Sequence, residues 1–321
     1  MKEMRFAEAI CEAIAYEMRR DKNVFLLGED VSIGVFGVTK KLFKEFGPSR
    51  VMDTPISEEA IAGAAVGAAA TGLRPIAEIM FMDFITVAMD EIVNQAAKMR
   101  YMFGGKITLP LIIRCAAGAG IQGAAQHSQS LEAWLVHTPG LKVAYPSTPN
   151  DAIGLYLSAI RDDNPTIVIE NKMLYASKGM VDEEFSPIPF GKADIKKEGS
   201  DVTVIATGVC VLKALECANK LEGEGISCEV IDPRTLFPFD KETIFNSIKK
   251  TNRVVIVTEE NRRGAFSAEI SALIAEEAFD NLDAPIVRIG SINTPVPFSK
   301  VLEDYYLPST SDIEKGIKSF F

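Results

Sequence analysis

The stretch Asp53-Thr-Pro-Ile-Ser-Glu-Glu-Ala-Ile-Ala-Gly-Ala-Ala-Val-Gly-Ala-Ala-Ala-Thr-Gly72 changes character at Ser57. Pro55 keeps the residue before it extended, because its ring crowds the helical conformation of that neighbour. Ser57 is a natural N-cap, and Glu58 and Glu59 fall in the first turn, where the helix dipole favours carboxylates. The rest of the helix is almost all Ala and Gly, which lets another backbone or a flat ligand approach closely. Taken alone, the stretch reads more readily as a tight helix contact than as the wall of a ligand site.

An extended segment feeding a helix is one unit of a pattern that recurs along the chain. Short β-branched runs at Val24–Gly28, Pro75–Phe81, Pro110–Cys115, Leu141–Tyr145 and Pro165–Glu170 read as strands. Helical spacing fills Arg5–Arg20, Ser57–Gly72, Phe84–Phe103, Leu131–His137 and Pro149–Arg161. Such alternation is the signature of parallel sheets covered by helices on both faces. Periodicity fails from Asn171 to Asp201, where Pro187, Pro189, Gly191 and Gly199 mix with charges. A second α/β set follows, with strands at Val202–Ala206, Ser227–Asp232, Val254–Glu259 and Pro285–Ile289. The expected fold class is α/β with two mainly parallel-sheet domains, residues 1–185 and 201–321, joined by a linker at 186–200.

With 321 residues, 47% of them apolar, the chain can bury a large core. Its net charge of -10 opposes nucleic-acid binding, which relies on Lys and Arg neutralising phosphates. An acidic surface suits a basic protein partner instead. The opening residues alternate charge and apolar side chains, unlike a signal peptide, and Ala60–Gly72 is too short to span a bilayer. A soluble cytoplasmic protein without membrane contact is expected. Five scattered cysteines show no CxxC pair and read as buried thiols, and two histidines are too few for a multi-histidine metal site.

The segment Gly118-Ala-Gly-Ile-Gln-Gly-Ala-Ala-Gln-His-Ser-Gln129 leaves the carboxyl end of a strand, where α/β folds place their ligands. His127 within it can exchange protons near neutral pH, and an ordinary hydrogen-bonded loop histidine is an equal reading. The segment contains GxGxxG, but no acidic residue closes a second strand at the distance a dinucleotide site needs. Glu259 and Glu260 read as a polar turn after a strand, with a functional role the minority reading.

Asp53–Gly72, Arg74-Pro-Ile-Ala-Glu-Ile-Met-Phe-Met-Asp-Phe84 and Ala124-Ala-Gln-His-Ser-Gln129 together resemble the beta subunits of 2-oxoacid and acetoin dehydrogenase complexes. The likeness continues through Pro139–Val143, Ser158–Pro165, Ile231–Pro238 and Thr294–Phe298, covering essentially the whole chain. The resemblance implies a thiamine pyrimidine-binding domain followed by a transketolase C-terminal-like domain. It also implies a two-alpha, two-beta heterotetramer in which thiamine diphosphate lies between subunits. The alpha subunit there holds the diphosphate and Mg²⁺ through a Gly-Asp-Gly segment, which this chain lacks. The implied reaction is cleavage of acetoin or decarboxylation of pyruvate, with transfer of the acyl unit to lipoyl-lysine on an acyltransferase core. A branched-chain 2-oxoacid is the alternative substrate.

By the same resemblance Glu58 faces the ring nitrogen of the aminopyrimidine, sharing a proton that helps generate the reactive thiazolium carbon. Ile56 and Phe84 contact that ring, and His127 is the active-site histidine. Some family members bind K⁺ through oxygens that fall on Leu111, Ala159, Ile160, Asp162 and Asn164. Intact Glu58 and His127 weigh against a non-catalytic subunit, and the missing Gly-Asp-Gly against a single-chain transketolase-like enzyme.

Overall fold

The computed structural model describes all residues from Met1 to Phe321. The chain divides into two compact units, Met1–Ala117 with Trp134–Phe190, and Gly118–Ala133 with Gly191–Phe321.

The first unit opens with β1 (Lys2–Arg5), α1 (Phe6–Arg20), β2 (Val24–Gly28), α2 (Leu42–Phe46), β3 (Val51–Asp53) and α3 (Glu58–Ala70). β4 (Arg74–Phe81), α4 (Ala97–Met102) and β5 (Ile112–Ala117) follow. After the segment given to the second unit come α5 (Glu132–Val136), which straddles the division, β6 (Lys142–Ala144), α6 (Pro149–Arg161), β7 (Thr166–Asn171) and β8 (Lys178–Val181). Parallel strands lie in the order β3-β2-β4-β5-β7-β6. β5 and β7 are buried at every residue, as central strands covered on both faces must be. β1 and β8 form a separate antiparallel ribbon.

Beneath this sheet's surface lies a charged core. Arg114, 2% exposed, pairs with Glu78 and Glu170 and donates to the Tyr156 hydroxyl at 3.2 Å. Glu170 also accepts from the hydroxyls of Tyr156 and Tyr175. Two carboxylates face one guanidinium, and burial pushes Glu78 above the usual carboxylate range despite Arg114.

The second unit contains β9 (Asp194–Lys197), β10 (Val202–Ala206), α7 (Cys210–Glu222), β11 (Cys228–Asp232), β12 (Thr235–Phe237) and α8 (Lys241–Thr251). β13 (Val254–Asn261), α9 (Phe266–Glu277), β14 (Val287–Ser291), α10 (Lys300–Tyr306) and α11 (Thr310–Lys318) complete it. Its sheet has the order β14-β13-β10-β11-β9, parallel except for β9. On one face Val202, Val204, Val255 and Val257 pack with Val211, Ala214 and Ile313 of α7 and α11. On the other, the Thr203 hydroxyl bonds Ser247 at 2.6 Å and Thr251 at 2.7 Å on α8.

The structure differs from the sequence reading in several places. The 186–200 linker contains a four-residue strand, β9, whose charged residues hid an antiparallel pairing with β11. Residues 118–133, which fall within the expected 1–185 domain, cluster with the second unit. Phe84–Phe103, read as one helix, is a 3₁₀ turn at Met82–Thr86, a π-helical stretch at Glu91–Ala96 and then α4. All five cysteines are buried and none forms a disulfide.

Candidate active site

Because β3, β2, β4 and β5 are parallel, their carboxyl ends line one edge of the first sheet. From β2 the chain moves outward to β3, then returns past β2 to β4, so strand order reverses between β2 and β4. Crevices at such reversals are where open α/β sheets take ligands. Glu29 leaves β2 there, Ile56 and Glu58 follow β3, and Phe84 follows β4. Burial raises the proton affinity of Glu29, and the charges of Asp30 and Glu58 raise it further, so the acids are close enough to repel.

Glu58 is the first residue of α3 and is half-buried, while Ile56 is 74% exposed. Ser57 occupies the N-cap position, but its hydroxyl makes no capping bond, because the residue takes φ -169° and ψ 81°. Along α3, Ile61, Ala62, Ala65, Val66 and Ala69 face inward, and Ala60, Ala64 and Gly67 are exposed. A helix apolar on both sides is made to be covered on both.

Phe84 is half-buried at the end of an aromatic ladder. Its ring meets Phe81 edge-on at 6.1 Å, Phe81 meets Phe36 at 5.4 Å, and Phe36 stacks on Tyr175 at 5.5 Å. Lys172 Nζ lies 5.1 Å from the Phe81 ring centre. The ladder holds the Phe84 ring through edge-on aromatic contact. This edge thus carries a half-buried carboxylate, Glu58, and a half-buried aromatic ring, Phe84. It offers no group of three acidic, His or Cys side chains placed to hold a metal.

His127 belongs to the second unit. Its segment takes positive φ at Gly118, Gly120, Gln122 and Ala124, and closes at its base through Gly118 N donating to Gln129 O at 3.2 Å. His127 N donates to Ala124 O at 3.4 Å. Three buried glutamates anchor the segment. Glu259 accepts from Ala119 N at 2.6 Å, and Glu303 accepts from Gly120 N at 2.8 Å and Gln122 N at 3.1 Å. Glu260 accepts from Ala133 N at 3.0 Å and Phe266 N at 2.8 Å. Burial pushes Glu260 up to about 7, against the backbone bonds and a bond with Glu132 that lower it. Beside the segment is a cavity of about 340 Å³ lined by Ala125, Gln129, Asn261 and Asn293–Val296.

Glu259 and Glu260, read as a polar turn, thus continue β13 and are 5% and 4% exposed. Glu303 went unnoticed in the sequence. The available signal was α10 itself, whose outward residues Val301, Leu302 and Tyr305 are apolar while the acid points in.

The five positions matched to a cation site lie together in the first unit. Leu111 O accepts from Thr166 N, Ala159 O from Asp162 N, and Ile160 O and Asp162 O from Arg74 Nη1 at 2.9 and 3.1 Å. Asn164 donates to the Asp162 carboxylate, which also pairs with Lys142. Ile160 O, Asp162 O and the Asp162 carboxylate thus face the positive charge of Arg74 or Lys142, while Leu111 O and Ala159 O accept from backbone amides.

Fold and site together define a chain with a transketolase-type pyrimidine-binding unit followed by a transketolase-type C-terminal unit. Residues 2–178 match the family model described as transketolase, pyrimidine binding domain, and residues 191–313 that described as transketolase, C-terminal domain. A solved structure titled split gene transketolase, inactive beta4 tetramer, superposes with a TM-score of 0.79 over 98% of this chain and 97% of that one. Its 24% identity speaks for the fold alone. The acetoin:2,6-dichlorophenolindophenol oxidoreductase subunit beta of Bacillus subtilis (strain 168) is 52% identical over 96% of this chain and 94% of its own length. The pyruvate dehydrogenase E1 component subunit beta of Rickettsia felis is 48% identical over 97% and 96%. The 2-oxoisovalerate dehydrogenase subunit beta of B. subtilis is 44% identical over 99% and 98%. The chain belongs to the family of beta subunits of thiamine-dependent 2-oxoacid and acetoin dehydrogenases.

Proposed function

We propose that this chain is the beta half of a heterotetrameric dehydrogenase component that cleaves acetoin or decarboxylates pyruvate, completed by an alpha subunit. The observation that carries the reading is the half-site at the β2/β4 reversal. Glu58 and Phe84 are the groups an aminopyrimidine would meet, and the chain has no cluster of three acidic, His or Cys side chains that would hold the Mg²⁺ of a diphosphate. The alpha subunit supplies those. Outward-facing Ala60, Ala64 and Gly67 on α3 support a partner lying close against the chain.

When bound, thiamine diphosphate supplies the nucleophilic carbon. Glu58 would face the ring nitrogen as the group that shares a proton with it, Ile56 and Phe84 would offer apolar contact to the ring, and His127 would give or take a proton at its imidazole. The acyl unit passes to lipoyl-lysine of an acyltransferase core, whose basic binding domain suits the acidic surface here. No helix is long and apolar enough to cross a membrane, and five buried thiols, none of them in a disulfide, suit a reducing cytoplasm.

Acetoin is the proposed substrate, supported by the 52% identity with the acetoin oxidoreductase subunit. Dye reduction by the complex reconstituted with its alpha subunit, given acetoin, pyruvate or 3-methyl-2-oxobutanoate separately, tests it. The highest kcat/KM is expected for acetoin. Turnover of pyruvate or the branched acid alone would remove the acetoin assignment and leave the beta-subunit assignment standing.

A further inference from the structure

The segment carrying His127 places positive φ at four alternating residues, Gly118, Gly120, Gln122 and Ala124. Backbone of this kind turns neighbouring N–H groups into a concavity that elsewhere cradles phosphate. Here the chain fills it with its own acids. Glu259 Oε1 takes Ala119 N, while Glu303 takes Gly120 N with one oxygen and Gln122 N with both, at 2.8 to 3.2 Å. Glu303 is wholly buried and Glu259 is 5% exposed.

Burying a carboxylate is unfavourable unless its charge is used, and charge-assisted bonds to N–H groups are about twice as strong as neutral ones. Gln122 and Ala124 both adopt the left-handed conformation without being glycine, a strain that persists only where surroundings impose it. Gly123 between them sits hard against the histidine. A Cβ there would lie 3.0 Å from His127 O and 3.2 Å from His127 Cβ. Any relaxation of residues 122–124 is therefore passed straight to His127.

We propose that Glu303, with Glu259, is a positioning residue that holds the segment in the strained form presenting His127. The proposal rests on the reading of His127 as the group that exchanges protons.

The experiment compares Glu303→Ala, Glu303→Gln, His127→Ala and the Glu303→Ala/His127→Ala double variant in the reconstituted complex. It follows kcat, the KM for thiamine diphosphate, and amide exchange across residues 118–127. Glu303→Ala is expected to lower kcat roughly 10- to 100-fold, the scale for a catalytic group displaced by about 1 Å. Cofactor KM should hardly move, exchange should accelerate, and the double variant should be no slower than His127→Ala. Glu303→Gln keeps the side-chain shape and one acceptor, and should fall between wild type and Glu303→Ala. Normal kcat in Glu303→Ala beside a crippled His127→Ala overturns the positioning role. Losses that multiply in the double variant do the same. Normal turnover in His127→Ala removes the reading beneath it, while the exchange result still reports on the clamp.

Discussion

The sheet edge of the first unit and the glycine-rich segment of the second carry candidate groups under opposite conditions. At the first, Glu58 begins a helix whose cap hydroxyl is unused, Ile56 stands 74% exposed, and small apolar residues face outward. At the second, backbone N–H groups are tied to buried carboxylates, and even strained residues are held. Exposed apolar surface signals an expected neighbour, whereas a satisfied buried polar network makes a site rigid on its own. On the proposed reading, one candidate site is finished only by another chain, and the other comes already set.

The largest effect should appear on withholding that other chain. Alone, this protein should turn over nothing and bind thiamine diphosphate weakly, with the alpha subunit restoring both. Calorimetry showing Mg²⁺-dependent micromolar binding, roughly 8 kcal/mol, would break the contrast, because one face of a site should not supply that much.

Next comes the carboxylate at the open edge. Glu58→Gln preserves shape and removes the titratable proton, so kcat in the reconstituted complex should drop on the order of 100-fold or more, with a smaller change in cofactor affinity. Glu59→Gln is the internal control. Its side chain is rotated by about 100° on the helix and is exposed, so turnover should stay within about twofold.

The smallest effect concerns the closed segment and is read as stability. Glu260 keeps its proton to about 7 when folded but to only about 4.5 when unfolded. Between these values the folded state binds more protons, so stability falls as pH rises through the window, by about 3 kcal/mol for this group, and is flat in this term outside it. Urea unfolding between pH 4.5 and 8 should show that decline in the wild type. In Glu260→Gln it should be shallower, and an identical slope would place the missing proton elsewhere.

Much of the architecture was readable before the fold was known, because long regular elements announce themselves. β2 and β10 span the residues expected of them, and α3 begins where Ser57 and Glu58 said it would. β3 and β9, three and four residues long, are too short to establish a period. Glu58, Phe84 and His127 stood out through motifs continuous in sequence. Glu259 and Glu303 did not, because their partners lie 140 and 183 residues away and a carboxylate gives no local sign of being buried. Inverted helices such as α10, with Tyr305 77% exposed beside a buried acid, are the trace such residues leave.

The five thiols have one further consequence. Burial pushes Cys210 and Cys228 up to about 12 and Cys217 up to about 11, so almost no thiolate exists near neutral pH, and none of the sulfur is at the surface. An alkylating reagent can act only on molecules that have opened. Cys11 and Cys115 sit in one unit, Cys210, Cys217 and Cys228 in the other. The protein is thus fitted with two native breathing gauges, one per unit, each silent while its own fold stays shut.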